Sequence, residues 1–415
     1  LKLKLATVIV FITMFTARIC AGGFQINEHS ARAMAMGGAF TAVANDPSAV
    51  YFNAAGLTQI EGTHFLFGST LIAPVSSFRG VTPNVTEYDM KRQYFPPVHF
   101  WASHRISDRF AVGIGFTTPF GLGTEWNDNW VGKYLAIKTD LQTYTISPVV
   151  AAKITDQISL SAGFVYSFAN VTIVQKSAQT PFPGDAKTTL DGKDNSAFGY
   201  TLGLLVKPTP KLSLGVSFHS SIQYEFKGTA TTVGAPQLDA AGRLPQGDVT
   251  AKLKTPINLA FGIAYDVSSV LKLSADFQYV GWSSYDTLGV DFTDPKYTDI
   301  ASPRLYDNSF IVRLGGEYKL TDLLKVGAGI YFDKNPVKPE YLNPSLPDAN
   351  RLGFSVGLDY KLFENLGVSA SYLFIRASQL TVTNSQEHYT EGNAPFNGTY
   401  NSYAHLAAIS LSYSL

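Results

Sequence analysis

The sequence predicts an all-β protein, a 14-stranded antiparallel transmembrane β-barrel plugged by a small N-terminal helical hatch. Three observations lead there. Charged residues make up only 15% of the chain while aromatics reach 13%, and soluble domains usually carry roughly 25% charged residues. Beyond the first two dozen positions no apolar run reaches the roughly 18 residues of a helical span. Segment after segment instead alternates apolar with polar residues over about ten positions, the length a tilted strand needs to cross a bilayer. Charge is balanced, 32 basic residues against 32 acidic, so no basic field points to nucleic acid.

Residues 1–21 read as a secretory signal peptide. Lys2 and Lys4 precede the apolar run Leu5–Phe15, and the small residues Ala21, Gly22 and Gly23 place cleavage after Ala21. Cys20, the sole cysteine, falls inside this segment. Ala17-Arg18-Ile19 before it does not suit lipidation, and the chain that follows offers no thiol. Residues 22–61 read as the hatch. Ser30–Met36 suits a short helix stopped by Gly37-Gly38. Asp46-Pro47 suits an N-cap with proline in the first turn, and Asn53-Ala54-Ala55-Gly56 suits the end of that helix. By composition alone a helical cap on a β domain fits this stretch as well as a plug does.

Residues 62–415 read as the barrel. In Ile158–Phe168 the apolar set is Ile158, Leu160, Ala162, Phe164, Tyr166 and Phe168, and the same comb recurs in Leu271–Tyr279 and Leu352–Leu362. Fourteen strands start near His64, Pro97, Arg109, Asp140, Gln157, Ser196, Lys211, Val249, Val270, Tyr306, Leu323, Arg351, Leu366 and Gly398. Short connections follow the even strands, at Ser107-Asp108, Thr155-Asp156, Pro208–Pro210, Val267–Ser269, Thr321-Asp322 and Phe363–Asn365. Long ones follow the odd strands, at 75–95, 119–138, 175–195, 228–248, 287–305, 335–349 and 384–397. Such parity belongs to a membrane barrel with tight periplasmic turns and longer outer loops, and it places both chain ends on the periplasmic side. The last strand carries its apolar teeth Ala407, Ile409, Leu411, Tyr413 and Leu415 to the final residue. That is the form the barrel-assembly machinery pairs, although the usual terminal aromatic is replaced by Leu415.

No phosphate loop, dinucleotide fingerprint or His/Cys metal spacing is present, so neither a cofactor nor an enzyme is expected. His219 continues the lumen-facing set Ser213, Gly215 and Ser217 and reads as a wall residue. The loop Pro119–Ala136 gathers Phe120, Leu122, Trp126, Trp130, Val131, Tyr134 and Leu135. It either packs against the barrel mouth or forms an apolar landing site for ligand. In the third strand, Gly113, Gly115 and Pro119 permit a kink, and a kinked strand can leave a gap in the wall.

Four blocks, GFQINEHSARAMAMGGAFTAVANDPSAVYFNAAGL, SDRFAVGIGFTTPFGL, DFQYVGWSSYDTL and FDKNPVKPEYLNPSLPDANR, resemble in order those of the FadL/TodX family of outer-membrane transporters. The resemblance covers essentially all of the chain after residue 21. It implies a monomeric barrel in the outer membrane, bathed in lipid and lipopolysaccharide, for passive uptake of a hydrophobic small molecule, a long-chain fatty acid or aromatic hydrocarbon. Ligand would be caught in an apolar outer groove, the hatch would move, and exit would be sideways through a gap at the kinked third strand. Phe24 would touch ligand, and Asn53-Ala54-Ala55 would stand where the family has Asn-Pro-Ala, with Ala54 in place of proline. Fatty-acid members set basic residues by the carboxylate. Arg304 and Arg313 are the candidates here, while Ser167–Asn170 of strand five offers none, which tilts the expectation toward a neutral ligand. The other class that fits is a structural or adhesive barrel without transport.

Overall fold

A computed structural model describes residues 22–83, 85–389 and 394–415; the segment read as a signal peptide lies outside them. Period-two alternation builds the wall. Its strands are β1 (Thr63–Gly80), β2 (Val98–Arg105), β3 (Phe110–Thr117 and Gly121–Glu125), β4 (Lys138–Lys153), β5 (Ile158–Ala178), β6 (Asp185–Thr209) and β7 (Leu212–His219 and Gln223–Val233). There follow β8 (Gly247–Lys254 and Asn258–Asp266), β9 (Leu271–Val280 and Thr287–Phe292), β10 (Ile300–Pro303 and Ser309–Lys319), β11 (Leu324–Asp333), β12 (Arg351–Lys361), β13 (Leu366–Ala377) and β14 (Gly398–Ser414). Each strand pairs antiparallel with the next. β1 and β14 close the circle from His64↔Ser414 to Gly80↔Gly398, so neither terminal strand is left as an edge. The closed 14-stranded barrel is the architecture expected from the alternation.

The wall is inside out relative to a soluble protein. Leu160, Phe164, Phe198, Phe261, Phe277, Leu314 and Ile409 are exposed, while Ser161, Asp276, Ser355 and Ser410 are buried. An apolar outer band and a polar interior are what hydrocarbon outside and a plugged lumen inside select.

Strands and turns alternate as expected at the short-turn end. At the other end, two expected loops are largely strand. β5 and β6 run on to Ala178 and back from Asp185, and the second segments of β9 and β10 occupy most of 287–305. There Lys187 and Lys193 stand on the outer face and Thr188 within. The ladder continues, but beyond the apolar band neither face needs to be greasy, and the comb disappears from the sequence. The wall begins at Thr63 and finishes at Ser414 on the short-turn end. Gly22, the first described residue, instead lies in the lumen, where a Cβ would fall 2.1 Å from Asp333 Oδ2.

The hatch comprises α1 (Ala31–Ala35), α2 (Ala49–Phe52) and a 3-10 turn at Ala54–Gln59. Asp46 does not cap a full helix. Its Oδ1 accepts from the Ser48 amide at 2.9 Å, shaping a turn that α2 continues from Ala49. Gly37 and Gly38 take φ of +65° and +76° and reverse the chain after α1. The hatch lies main chain against wall. A Cβ at Gly315 would fall 2.2 Å from Met36 O, one at Gly329 2.2 Å from Gly37 N, and one at Gly215 2.3 Å from Thr41 O. Arg32 fastens it, with Nε 2.7 Å from Glu317 Oε2 and Nη1 3.0 Å from Asp46.

Candidate ligand pathway

The ladder of β3 determines the site. β2 pairs with β3 from Arg105↔Ala111 only as far as Phe100↔Phe116. The second segment of β3, Gly121–Glu125, pairs with β4 alone. The interruption falls at 118–120, where one extra residue sits on β3 opposite β4, so Pro119 lies in it. Gly113 and Gly115, expected at the kink, lie lower in an unbroken ladder, opposite Ser103 and Trp101. Their missing side chains serve the hatch instead, since Cβ atoms there would meet Val50 at 2.6 Å and 2.9 Å.

Above the interruption β3 shows its free edge toward β1 and β2, and the hatch takes up part of it. Ile26 donates to Pro119 O at 2.9 Å and Gly121 to Phe24 O at 3.0 Å. This small bridge inserts Phe24 into an aromatic nest. Its ring meets Trp282 at 4.8 Å, Tyr285 at 5.6 Å and Phe120 at 6.1 Å, all edge to face. Gly23 is held from the far wall, accepting from Arg351 at 2.8 Å and donating to Asp348.

Two cavities meet at Phe24. The first, about 1490 Å³ to its open side, lies among the long loops and the upper ends of β4–β10; Leu122, Leu135, Leu141, Phe226 and Leu253 make it apolar. Arg304 enters it from β10. The Arg304 and Leu305 amides both donate to Asp286 O at 2.7 Å and 2.9 Å, and Leu305 takes φ +48°, a conformation that leucine rarely adopts. The resulting bend keeps both Arg304 and Tyr306 inside. Arg304 is 7% exposed, and its Nη1 lies 3.4 Å from Glu387, which also accepts from Asn343 at 2.8 Å.

The second cavity, about 1660 Å³, spans the wall at the β3 interruption. Its lining runs from Asp348, Arg351 and Ser402 in the lumen, past Phe24, Phe120 and Phe95, which bridges to Ile72 of β1, to Val98 at the outer side of β2. Val98 is 39% exposed.

Trp126 and Trp130 line neither cavity. They stack on each other at 4.2 Å, are 0% and 2% exposed, and donate to Pro344 O and Ala136 O at 3.0 Å and 2.8 Å. Trp130 also abuts Phe78 and Phe396. Of the two sequence readings for this loop, packing at the barrel mouth describes the tryptophans, because buried indoles satisfy their N–H groups within the loops. Leu122, Tyr134 and Leu135 are the members that reach the first cavity. Asn53 is 1% exposed; it donates to Thr41 O at 2.9 Å and to Leu204 O of β6 at 3.0 Å, and accepts from Ala55. Ala54 and Ala55 are buried beside it. Among the described residues no cluster of His, Cys, Asp and Glu could hold a metal ion.

Comparison with known proteins agrees with the fold. A family model described as outer membrane protein transport protein (OMPP1/FadL/TodX) matches residues 12–415. The long-chain fatty acid transport protein of Salmonella typhi is 24% identical over 428 residues, covering 95% of this chain and 97% of its own. A FadL homologue of Pseudomonas aeruginosa superposes with a TM-score of 0.83 at 22% identity, covering 96% and 100%. The toluene transporter TbuX of Ralstonia pickettii superposes at 0.71 and 18%, covering 92% and 97%.

Proposed function

The chain belongs to the OMPP1/FadL/TodX family of outer-membrane transport proteins, and we propose that it passes hydrophobic compounds, long-chain fatty acids or aromatic hydrocarbons, passively into the outer membrane. Ligand gathers in the apolar cavity among the outer loops. It passes Phe24 when the hatch N-terminus shifts, and leaves sideways between β3 and β2. The observation that carries this reading is the second cavity, which runs from lumen to outer wall at the β3 interruption. Hydrogen bonds of the hatch to Pro119 and Gly121 close it in the resting state. Lateral exit suits an apolar cargo, because it never has to be dissolved in periplasmic water. No energy input is needed, since the ligand moves toward the phase it prefers. The barrel acts as a monomer with its long loops outward and both ends of its wall toward the periplasm.

The test is uptake of a labelled long-chain fatty acid and, separately, of toluene by cells lacking their own transporter of this kind. Cysteines placed at Phe95 and Gly123, where a Gly123 Cβ would meet the Phe95 ring, allow a short bismaleimide to tie the gap shut. Uptake should require the protein and be lost on cross-linking. Undiminished uptake through the tied barrel would move the exit into the lumen. No uptake of either compound would favour a structural barrel.

A further inference from the structure

Above the apolar band the outer face of β6, β7 and β8 carries four exposed lysines, Lys193, Lys227, Lys252 and Lys254. Lys193 and Lys227 stand directly across from each other in the ladder. Lys252 lies on the next strand opposite Glu225, and Lys254 follows it opposite Gln223. Like charges placed directly opposite weaken a sheet, and the wall itself does little to relieve this pair. Among the described residues, only Lys252 of the four has a carboxylate within ion-pair distance. That contact, with Glu225 at 3.9 Å, is loose, and both side chains are more than half exposed. The remaining acids nearby are engaged or stand higher. Asp194 faces inward and accepts from the Ser196 and Glu225 amides. Asp191 accepts from Thr172 at 2.6 Å, and Asp291 lies above, opposite Thr250.

The level of the patch points to its partner. Directly beneath it an aromatic girdle ends the apolar band, with Phe198 on Tyr166 at 5.7 Å and Tyr200 on Phe218 at 5.8 Å. The Tyr166 hydroxyl turns up from the girdle to donate to Asn195 O. On β8 the exposed Ile257 marks the same limit, shortly below Lys254. Girdles of this kind lie at the interfaces of membrane barrels, so the lysines stand at head-group level. There, basic residues are drawn to anionic lipid. The chain as a whole is neutral, 32 basic residues against 32 acidic, so the concentration is local. On β13, across the barrel, one outward cation, Arg376, follows Phe374.

We propose that this face is a docking site for the phosphates of lipopolysaccharide, with Lys193 and Lys227 holding one phosphate between them. Two ammoniums that repel each other in the bare ladder become partners around a shared anion. Lys252 and Lys254 take a second phosphate lower on the wall, which a lipid with a single phosphate cannot supply. The inner face of the same strands carries Phe226, Val249 and Leu253 into the upper cavity. Glycolipid held outside therefore braces a stretch of wall that hydrocarbon does not reach. The assignment rests on the long loops facing outward; the charge pairing does not.

The experiment is equilibrium binding of the purified full chain, in a nonionic detergent, to three probes. They are diphosphoryl lipid A, its dephosphorylated form, and phosphatidylglycerol. Wild type is compared with Lys193→Thr/Lys227→Thr, Lys252→Thr/Lys254→Thr and Arg376→Thr, and heat-modified gel mobility verifies that each is folded. Diphosphoryl lipid A should bind wild type at least tenfold more tightly than either other probe. Each lysine pair should take away at least fivefold of that margin, and Arg376→Thr should keep it. Without lipid, Lys193→Thr/Lys227→Thr should melt no lower than wild type, because the repulsion is gone. Equal binding of the three probes, or undiminished binding in both lysine variants, would overturn the proposal. So would a lower melting point of Lys193→Thr/Lys227→Thr without lipid, which would make the pair structural. Orientation is read separately, by maleimide labelling of Asp239→Cys, in the long loop after β7, on intact cells. Labelling only after lysis would overturn the outward loops and the glycolipid assignment together; labelling of intact cells leaves the binding result to decide.

Discussion

Replacing Arg32 with methionine should unlatch the hatch while leaving the wall intact. Arg32 is 9% exposed. It makes a two-pronged contact with Glu317 at 2.7 Å and 3.1 Å, and further bonds to Asn45 at 2.8 Å and Asp46 at 3.0 Å. Breaking a buried pair by removing one partner costs about 3–5 kcal/mol. Glu317 would keep Lys325 at 3.7 Å, so the lower end applies. A loss of about 3 kcal/mol is more than a hundredfold in the ratio of seated to released hatch. None of the wall pairing involves Arg32, so the barrel should keep its heat-modified gel mobility. The assay is the rate of proteolytic cutting within residues 31–60 by a protease supplied at the short-turn end. With fast reseating, that rate follows the released population. It should rise about a hundredfold in Arg32→Met and fall part of the way back in Arg32→Met/Glu317→Gln, where the buried Glu317 charge is gone and only the half-buried Asp46 has lost its cation. An unchanged rate in the single variant would mean that packing on the bare wall, and not the ion pair, holds the hatch. Melting of the barrel together with the hatch would refute the separation of plug from wall.

Three further outcomes follow from the same geometry. Phe24→Ala should merge the two upper cavities and loosen the hatch N-terminus by about 3 kcal/mol, so toluene uptake should quicken; an unchanged rate would remove Phe24 as the divider. Gly115→Val should push α2 away, because a Cβ there already falls 2.7 Å from Trp101 and 2.9 Å from Val50, and the hatch should be cut faster while the barrel stays folded. His29 of the hatch is buried with its ring 4.5 Å from Tyr51, and burial, with His99 nearby, lowers its pKa to about 3. The seated state thus binds fewer protons than the released state, whose His29 titrates near its ordinary value of about 6.5. Seating should be constant above about pH 6.5 and weaken as pH falls toward 3. Hatch cutting at pH 5 faster than at pH 8, and flattened in His29→Asn, is the expected result; equal rates in the wild type would oppose it.

Strand positions were legible because hydrocarbon enforces one rule on every outward residue. Leu160, Phe164 and Leu273 had to alternate with Ser161 and Ser274 whatever their neighbours. Turn residues such as Ser107-Asp108 then marked the ends. The rule lapses above the apolar band, which is why Lys187–Lys193 read as a loop. The site depended on register, which alternation does not reveal. Gly113 and Pro119 were equally plausible for a bend until the ladder placed Gly113 opposite Ser103 and ended β2–β3 pairing at Phe116. For Trp126 and Trp130 the sequence leaves packing and a landing surface equally open, because composition cannot tell an aromatic under a loop from one upon it. That Asp276 stands across from Arg313, 37 positions later in the chain, and gives its Oδ2 to the hatch is likewise a matter of register.

The bare inner wall at Gly215, Gly315 and Gly329 matters to the cell for a reason unrelated to its cargo. At that level the seal against water-soluble compounds is main chain resting on main chain, with no side chain to yield. On the transport reading proposed above, part of the cell's tolerance of detergents and polar antibiotics would rest on a few absent methyl groups. Alanine at any of the three would leave loops and lipid face untouched and turn a fitted stopper into a loose one.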